Sequence, residues 1–168
     1  TWQNWNDSDL NQNPYFSDEI HEDIIYQLRS HFKERHAVAR IVGLSGIGKS
    51  RLVLEIFRGP ENPNEQPDQE TISRSVIYIN AATNSEIPNA IVQWGNQQIS
   101  GIVIVDNCDL ELHDLLKLEI RHKSRNLSLL TIDNNPENEN SDSDPEELFK
   151  KLNPVSDDVI KKITQHFY

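Results

Sequence analysis

The chain has 168 residues, a formal net charge of −11 and one cysteine. That length can bury one sizeable hydrophobic core and asks for no more than one main domain. An acidic surface repels an extended phosphate backbone, so we expect no direct binding of nucleic acid. A lone cysteine forms no internal disulfide, and no apolar run approaches the length of a membrane span. We therefore expect a protein of the reducing cytoplasm that does not enter the membrane.

The first part of the chain predicts a helix, a strand and a second helix. Apolar residues at helical spacing favour an amphipathic helix over residues 18–35, with Ser17 as its N-cap. The short apolar run 37–42 predicts a strand that leads into a glycine-rich turn. The pattern after this turn predicts a helix from residue 49 to about residue 59.

The middle of the chain continues this alternation. Residues 60–73 hold three prolines among polar residues and predict a mobile surface loop. A strand is predicted at 76–79 and a helix at 88–99. The consecutive β-branched residues at 102–105 are typical of a strand covered on both faces inside a parallel sheet, and Asp106 ends this run.

The last part predicts a helix at 110–123, a strand at 127–132, an edge strand at 147–152 and the start of a helix at 154–167. The helix at 110–123 is expected to bury Leu112, Leu115, Leu116 and Ile120. Residues 133–147 are almost wholly polar and predict a solvated, disordered segment.

Alternating strands and helices predict an α/β fold: a three-layer sandwich with a mostly parallel sheet and helices on both of its faces. We divide the chain into a polar N-terminal segment (1–17), the main domain (18–153) and the start of a helical lid (154–168). The last helical pattern stops midway, so we interpret the chain as a fragment of a longer protein.

Residues 43–50 read GLSGIGKS and match the phosphate-binding pattern G-x-x-x-x-G-K-[ST]. Glycines let backbone N–H groups approach phosphate oxygens, and the following helix adds a partial positive charge. Lys49 brings a full charge to the β and γ phosphates, and Ser50 offers a hydroxyl to Mg²⁺. We expect nucleotide contacts from Gly43, Leu44, Ser45, Gly46, Ile47, Gly48, Lys49, Ser50 and Arg51.

Two acids follow the most apolar strand. The pattern at residues 43–50 can match by chance, but here a strand precedes it, a helix follows it, and Asp106 ends a later strand. We expect Asp106 to belong to the catalytic residues and to hold Mg²⁺ through water. Asp109 could orient or deprotonate the attacking water, or it could simply cap the next helix; both roles can coexist.

Other residue types that often take part in catalysis or metal binding have ordinary structural interpretations here. Cys108 lies between acids and is expected to be a small buried residue with a raised thiol pKa. The histidines show no spacing typical of a transition-metal site and are expected to be solvated on helices. Arg121 and Arg125 could stabilise charge on a neighbouring subunit's nucleotide, or they could pair with surface acids.

A GTPase would need an Asn-Lys-x-Asp run, which is absent from the sequence, so ATP is favoured. The runs GLSGIGKSRLVLEIF (43–57), IVIVDNCD (102–109) and LLTI (129–132) together resemble the STAND class of signal-transduction ATPases, which includes NACHT and NB-ARC domains. The resemblance implies the sheet order 5-1-4-3-2 and binding of ATP or ADP with Mg²⁺.

The resemblance also implies roles for single residues. In this class the second acidic motif is a hydrophobic strand followed by Asp-Gly-x-Asp-Glu. Residues 106–109 (DNCD) match its first four positions, and Leu110 replaces the final Glu. A Thr-x-Arg sensor would end strand four; here Thr131 is followed two residues later by Asp133. Thr131 is thus expected to contact the γ phosphate or its water.

The ends of the chain also bear on this class. The segment 148–163 is similar to the one that leads from the ATPase sheet into the helical lid. The usual Gly-Arg pair before the first helix is replaced by Pro14, Tyr15 and Phe16. Tyr15 or Phe16 could stack on adenine or could pack the first helix onto the sheet.

These observations lead to one main hypothesis and two alternatives. The main hypothesis is an ATPase that acts slowly on the β–γ phosphoanhydride and serves as a nucleotide switch in a signalling or defence protein. Its partners would be signal-sensing and effector domains, with homo-oligomers formed on activation. The alternatives are a nucleotide-dependent interaction module without useful hydrolysis, and a small-molecule kinase.

Overall fold

The computed structural model describes residues 15–58, 76–124, 126–137 and 144–167. Strands and helices alternate over residues 19–133, as the sequence predicts, and the last two strands follow one another with no helix between them among the described residues. The strands are β1 Val38–Val42, β2 Val76–Asn80, β3 Gly101–Asp106, β4 Leu127–Asp133 and β5 Glu147–Lys151. The α-helices are α1 Glu19–His31, α2 Lys49–Phe57, α3 Ile87–Asn96, α4 Leu110–His122 and α5 Asp157–Phe167.

The strands form one five-stranded sheet with the order β2-β3-β4-β1-β5, and all neighbouring strands are parallel. This confirms the predicted order 5-1-4-3-2. β4 lies between β1 and β3, although it follows both in sequence. Because every strand runs the same way, all five carboxyl ends meet at one edge of the sheet.

Alternate residues of the central strands enter two separate cores. On one face, Ile102 and Ile104 of β3 pack in the cluster that includes α1 and α2. On the other face, Val103 and Val105 pack in the cluster that includes α3 and α4. The period of two in an extended strand produces this division, and it confirms the predicted three-layer sandwich.

Two local predictions are corrected at α1 and α4. The N-cap of α1 is Asp18, whose side chain accepts from the backbone N–H of His21, whereas Ser17 donates to Glu22 instead. Leu115 of α4 is exposed, because the helical rotation gives the buried stripe to His113 together with Leu116 and Ile120. Thr131 on β4 and Glu147 on β5 face the two nitrogens of the buried imidazole.

The predicted disordered polar segment at 133–147 is corrected at its two ends. Asp133 is buried and ends β4, and the side chain of Glu147 is buried where β5 begins. Both carboxylates are buried because they face cationic or imidazole groups, which offset the cost of removing them from water. Residues 138–143 of this segment, the predicted loop 60–73 and most of the N-terminal segment lie outside the described residues.

Candidate functional site

The glycine-rich loop joins the carboxyl end of β1 to the first turn of α2. Gly46 and Gly48 have φ angles of +83° and +94°, a region that a side chain makes costly. A Cβ atom on Gly43 would lie 2.6 Å from Cδ1 of Ile47 and 2.7 Å from the carbonyl oxygen of Leu152. The loop path therefore needs glycine for backbone conformation at two positions and for space at a third.

Lys49 lies inside this loop rather than in solvent. Its side-chain Nζ donates to the carbonyl oxygens of Gly43 and Leu44, each at 2.7 Å, and the residue is buried. Burial lowers the pKa of Lys49, although the nearby carboxylates of Asp106 and Asp133 oppose this change. The ammonium is thus held at the mouth of the loop, where it can meet an incoming anion.

Asp106 reaches the first turn of α2 across the carboxyl edge of the sheet. Its Oδ2 accepts from the Ser50 hydroxyl at 3.0 Å and from the Tyr78 phenol at 2.7 Å. Its Oδ1 accepts from the backbone N–H of Asn107 at 2.8 Å. The structure therefore brings together the two predicted metal-holding residues, Ser50 and Asp106, which are 56 positions apart.

A cavity of about 320 Å³ lies over these groups. Its walls come from Ser45, Gly46 and residues 48–51 of the loop region, together with Asp106, Asn107 and Asn134. A hydroxyl, a carboxylate and a lysine in one concave site fit a phosphate group with Mg²⁺, which prefers oxygen ligands and keeps several waters. Ser50 and Asp106 would hold the ion.

The described residues contain no group of three or more His, Cys, Asp and Glu placed to hold a metal ion. In the same part of the chain, no helix is long and apolar enough to cross a bilayer.

Asp109 stands at the start of α4, outside the set of residues that line the cavity. Its Oδ1 accepts from the backbone N–H of Leu112 at 2.8 Å, so it is the N-cap of the helix. The capping role is therefore observed. The role of Asp109 toward an attacking water stays a prediction, and the two roles are compatible because one carboxylate oxygen makes the cap.

Thr131 lies on the opposite face of the sheet from Asp106, under α4. It is fully buried, and a hydrogen bond of 2.7 Å joins its Oγ1 to Nδ1 of His113. Its predicted contact with the γ phosphate stays a prediction, and such a contact would require the hydroxyl to leave His113.

The same layer holds a group of ionisable side chains around the buried His113 and Glu147. Nε2 of His113 lies 3.0 Å from Oε1 of Glu147, and the Lys117 ammonium donates to the other oxygen at 2.8 Å. Burial would raise the pKa of Glu147, but the facing His113 and Lys117 outweigh it and hold this pKa at about 2. Arg121 pairs with Asp144, as in the alternative that it pairs with acids, and Arg125 lies outside the described residues. The expectation that histidines are solvated is therefore wrong for His113, and it is also wrong for His21, which is buried on α1.

Cys108 is buried at the end of β3, as expected. Burial raises the pKa of its thiol to about 12, with Arg40 opposing and Asp109 adding to the change. A thiol with such a pKa holds its proton at neutral pH, so Cys108 contributes packing rather than chemistry.

Tyr15 takes part in packing near the loop. It packs against the core beneath α1, and the Arg51 guanidinium lies 5.8 Å from the centre of its ring. Phe16 makes an edge contact with His166 of α5, with ring centres 5.5 Å apart. The packing role of Tyr15 is therefore observed, while stacking of Tyr15 or Phe16 on adenine stays a prediction.

Three asparagines at the carboxyl edge received no role from the sequence. Asn134 donates to Asn107 at 2.6 Å, and Asn107 donates to Asn80 at 3.0 Å. Each ends or follows a strand, so the reasoning that selected Asp106 could have selected them as well. Arg40 and Tyr78 were also missed, and no local pattern marks either one.

A parallel sheet of this order, with the glycine loop after β1 and an acid at the end of β3, defines a P-loop α/β fold. Among solved structures, one of C. elegans PCH-2 is similar, with a TM-score of 0.53 and 13% sequence identity. The similarity covers 90% of this chain and 49% of the other, so this chain spans about half of that protein's length. No protein-family model and no curated protein matches the chain. At this identity, the comparison shows the fold alone.

Proposed function

We propose that this domain binds ATP with Mg²⁺ in the cavity between the glycine loop and Asp106. The observation that carries the proposal is the meeting of Lys49, Ser50 and Asp106 in one concave site. Backbone N–H groups of the loop and the N-terminus of α2 would bind the phosphates. Lys49 would exchange its two carbonyl partners for phosphate oxygens, which are better partners for an ammonium ion.

A bound Mg²⁺ ion would neutralise charge that develops on the phosphates during hydrolysis. Ser50 and Asp106 would hold the ion, and Asp109 would orient the attacking water from the start of α4. Slow hydrolysis of this kind suits a switch whose two states are the ATP and ADP forms. We therefore propose a nucleotide-switch domain of a larger STAND-type signalling or defence protein.

Purified protein can test nucleotide binding directly. A fluorescent ATP analogue is titrated into the wild-type protein and into Lys49→Ala, with Mg²⁺ present. We expect the variant to bind at least about tenfold more weakly, because it loses a charge-assisted contact with phosphate. Lys161→Ala, at an exposed lysine on α5, is the matched control and should bind like wild type.

Competition with unlabelled nucleotides tests the choice of base, and ATP should displace the analogue better than GTP. Equal binding by the wild-type protein and Lys49→Ala would contradict a phosphate site in this loop.

One observation favours a second candidate, an interaction module that binds nucleotide without useful hydrolysis. The Asp109 carboxylate already has a structural task as the N-cap of α4. Turnover by the full-length protein distinguishes the candidates, because the module would bind ATP and Mg²⁺ without releasing phosphate.

A further inference from the structure

Tyr78 lies on the edge strand β2 and touches the Asp106 carboxylate. In the register between β2 and β3, Tyr78 lies opposite Ile104, two residues before Asp106. The half-buried ring packs against the core on the α2 side of the sheet, and its hydroxyl donates to Oδ2 of Asp106 at 2.7 Å. Tyr78 thus reaches along the strand toward the carboxyl edge without lining the cavity itself.

The Asp106 carboxylate receives three protein donors from three different elements. Oδ2 accepts from Tyr78 on β2 and from Ser50 on α2, and Oδ1 accepts from the N–H of Asn107. An ionised carboxylate offers about four acceptor sites. Among the described residues, this leaves one acceptor site on Oδ1 without a protein donor.

These donors set the orientation of a group that would otherwise rotate. The last torsion of an aspartate side chain is broad and two-fold, so packing alone defines it poorly. Asn107 donates through its backbone, and Ser50 is itself one of the residues proposed to hold Mg²⁺. Tyr78 is therefore the donor that orients Asp106 from outside the proposed metal and phosphate site.

We propose that Tyr78 is a positioning residue that sets the affinity of the site for Mg²⁺ by holding the carboxylate of Asp106. This inference rests on the proposed function. It assigns to β2, which contributes nothing to the glycine loop, a direct influence on metal-dependent nucleotide binding.

The test compares Tyr78→Phe with the wild-type protein by titration of a fluorescent ATP analogue, once with Mg²⁺ and once with EDTA. The phenylalanine ring keeps the packing and removes the hydroxyl. We expect the enhancement of affinity by Mg²⁺ to fall about five- to tenfold, as for loss of a hydrogen bond to a charged group, while affinity in EDTA is unchanged. Tyr26→Phe, at an exposed tyrosine on α1, is the matched control. Ser50→Ala removes a proposed metal ligand and shows how far the enhancement of affinity by Mg²⁺ falls when such a ligand is lost.

Each other outcome overturns the proposal. If Tyr78→Phe lowers both affinities together, or if unfolding curves show that it does not fold, the residue is merely structural. An unchanged or stronger Mg²⁺ enhancement means that the phenol does not support the metal site. If the wild-type protein binds no nucleotide, the proposed function fails and this inference fails with it, which is distinct from a failure of Tyr78→Phe alone.

Discussion

The Arg40 guanidinium donates to Oδ2 of Asp133 at 2.6 Å, and both side chains are buried between the sheet and α4. A second nitrogen of Arg40 reaches the carbonyl oxygen of Asp109 at 3.4 Å. The backbone carbonyl of Asp133 in turn accepts from the N–H of Gly43 at 3.2 Å. The pair thus connects β1, the end of β4 and the first residue of the glycine loop.

We expect Arg40→Met to lower the free energy of unfolding by about 3–5 kcal/mol, because it removes the cation that faces a buried carboxylate. Arg40→Met combined with Asp133→Asn should recover most of this loss, since the amide needs no counter-charge. Urea unfolding monitored by circular dichroism gives these values.

The control for this pair is Lys161→Met on the surface of α5. Lys161 forms an exposed ion pair with Asp158 at 3.3 Å, so its loss should have no measurable effect on stability. If Arg40→Met were as well tolerated as Lys161→Met, the buried pair would not contribute to stability in the way that its burial implies.

Asp109→Asn separates capping from catalysis. Asparagine caps helices about as well as aspartate but is not a general base. We expect the urea midpoint of unfolding of Asp109→Asn to equal that of the wild-type protein. We expect its rate of ATP hydrolysis, measured in the full-length protein, to fall at least about tenfold. Phosphate release and urea unfolding measure the two properties on the same samples.

The companion variant Asp109→Ala removes both properties. It should lose about 1 kcal/mol of stability as well as hydrolysis, because the N–H of Leu112 loses its acceptor. Wild-type turnover by Asp109→Asn would limit Asp109 to capping and would favour the interaction module.

Glu147 makes stability depend on acid pH. Its pKa is lowered from 4.5 to about 2 in the folded protein. The contribution of this group is therefore fully present above pH 4.5 and is lost as the pH falls toward 2. We expect Glu147→Gln to lower the free energy of unfolding by roughly 2–3 kcal/mol at pH 7, with a deficit that shrinks below pH 4.5. Urea unfolding at a series of pH values measures the deficit.

The neighbouring Glu146 is exposed and serves as the control for Glu147. Glu146→Gln should show no comparable deficit at pH 7. A deficit of Glu147→Gln that stays constant down to pH 3 would contradict the assignment, because it would reflect lost packing rather than a charge held by His113 and Lys117.

The fold and the centre of the candidate site could be predicted because their signals are local. A glycine pattern between an apolar strand and a helix determines the conformation of residues 43–50. The run of β-branched residues in β3 likewise indicates a strand covered on both faces. The parallel order then placed Asp106 beside Ser50, since parallel strands end at a common edge.

Other features were decided only by the tertiary structure, because they depend on contacts between residues far apart in sequence. Arg40 reads as a polar interruption of β1, and only the position of β4 beside it reveals Asp133 as its partner. Tyr78 gains its contact with Asp106 from the pairing of β2 with β3. His113 of α4 can be buried because Thr131 on β4 and Glu147 on β5 face its imidazole.

The amino-acid sequence by itself therefore determined the phosphate loop and the alternation of elements, whose patterns span only a few residues. The tertiary structure alone decided which polar side chains are buried and paired. Burying a charge is costly unless a partner is in reach, and that partner is supplied by the packing of distant elements.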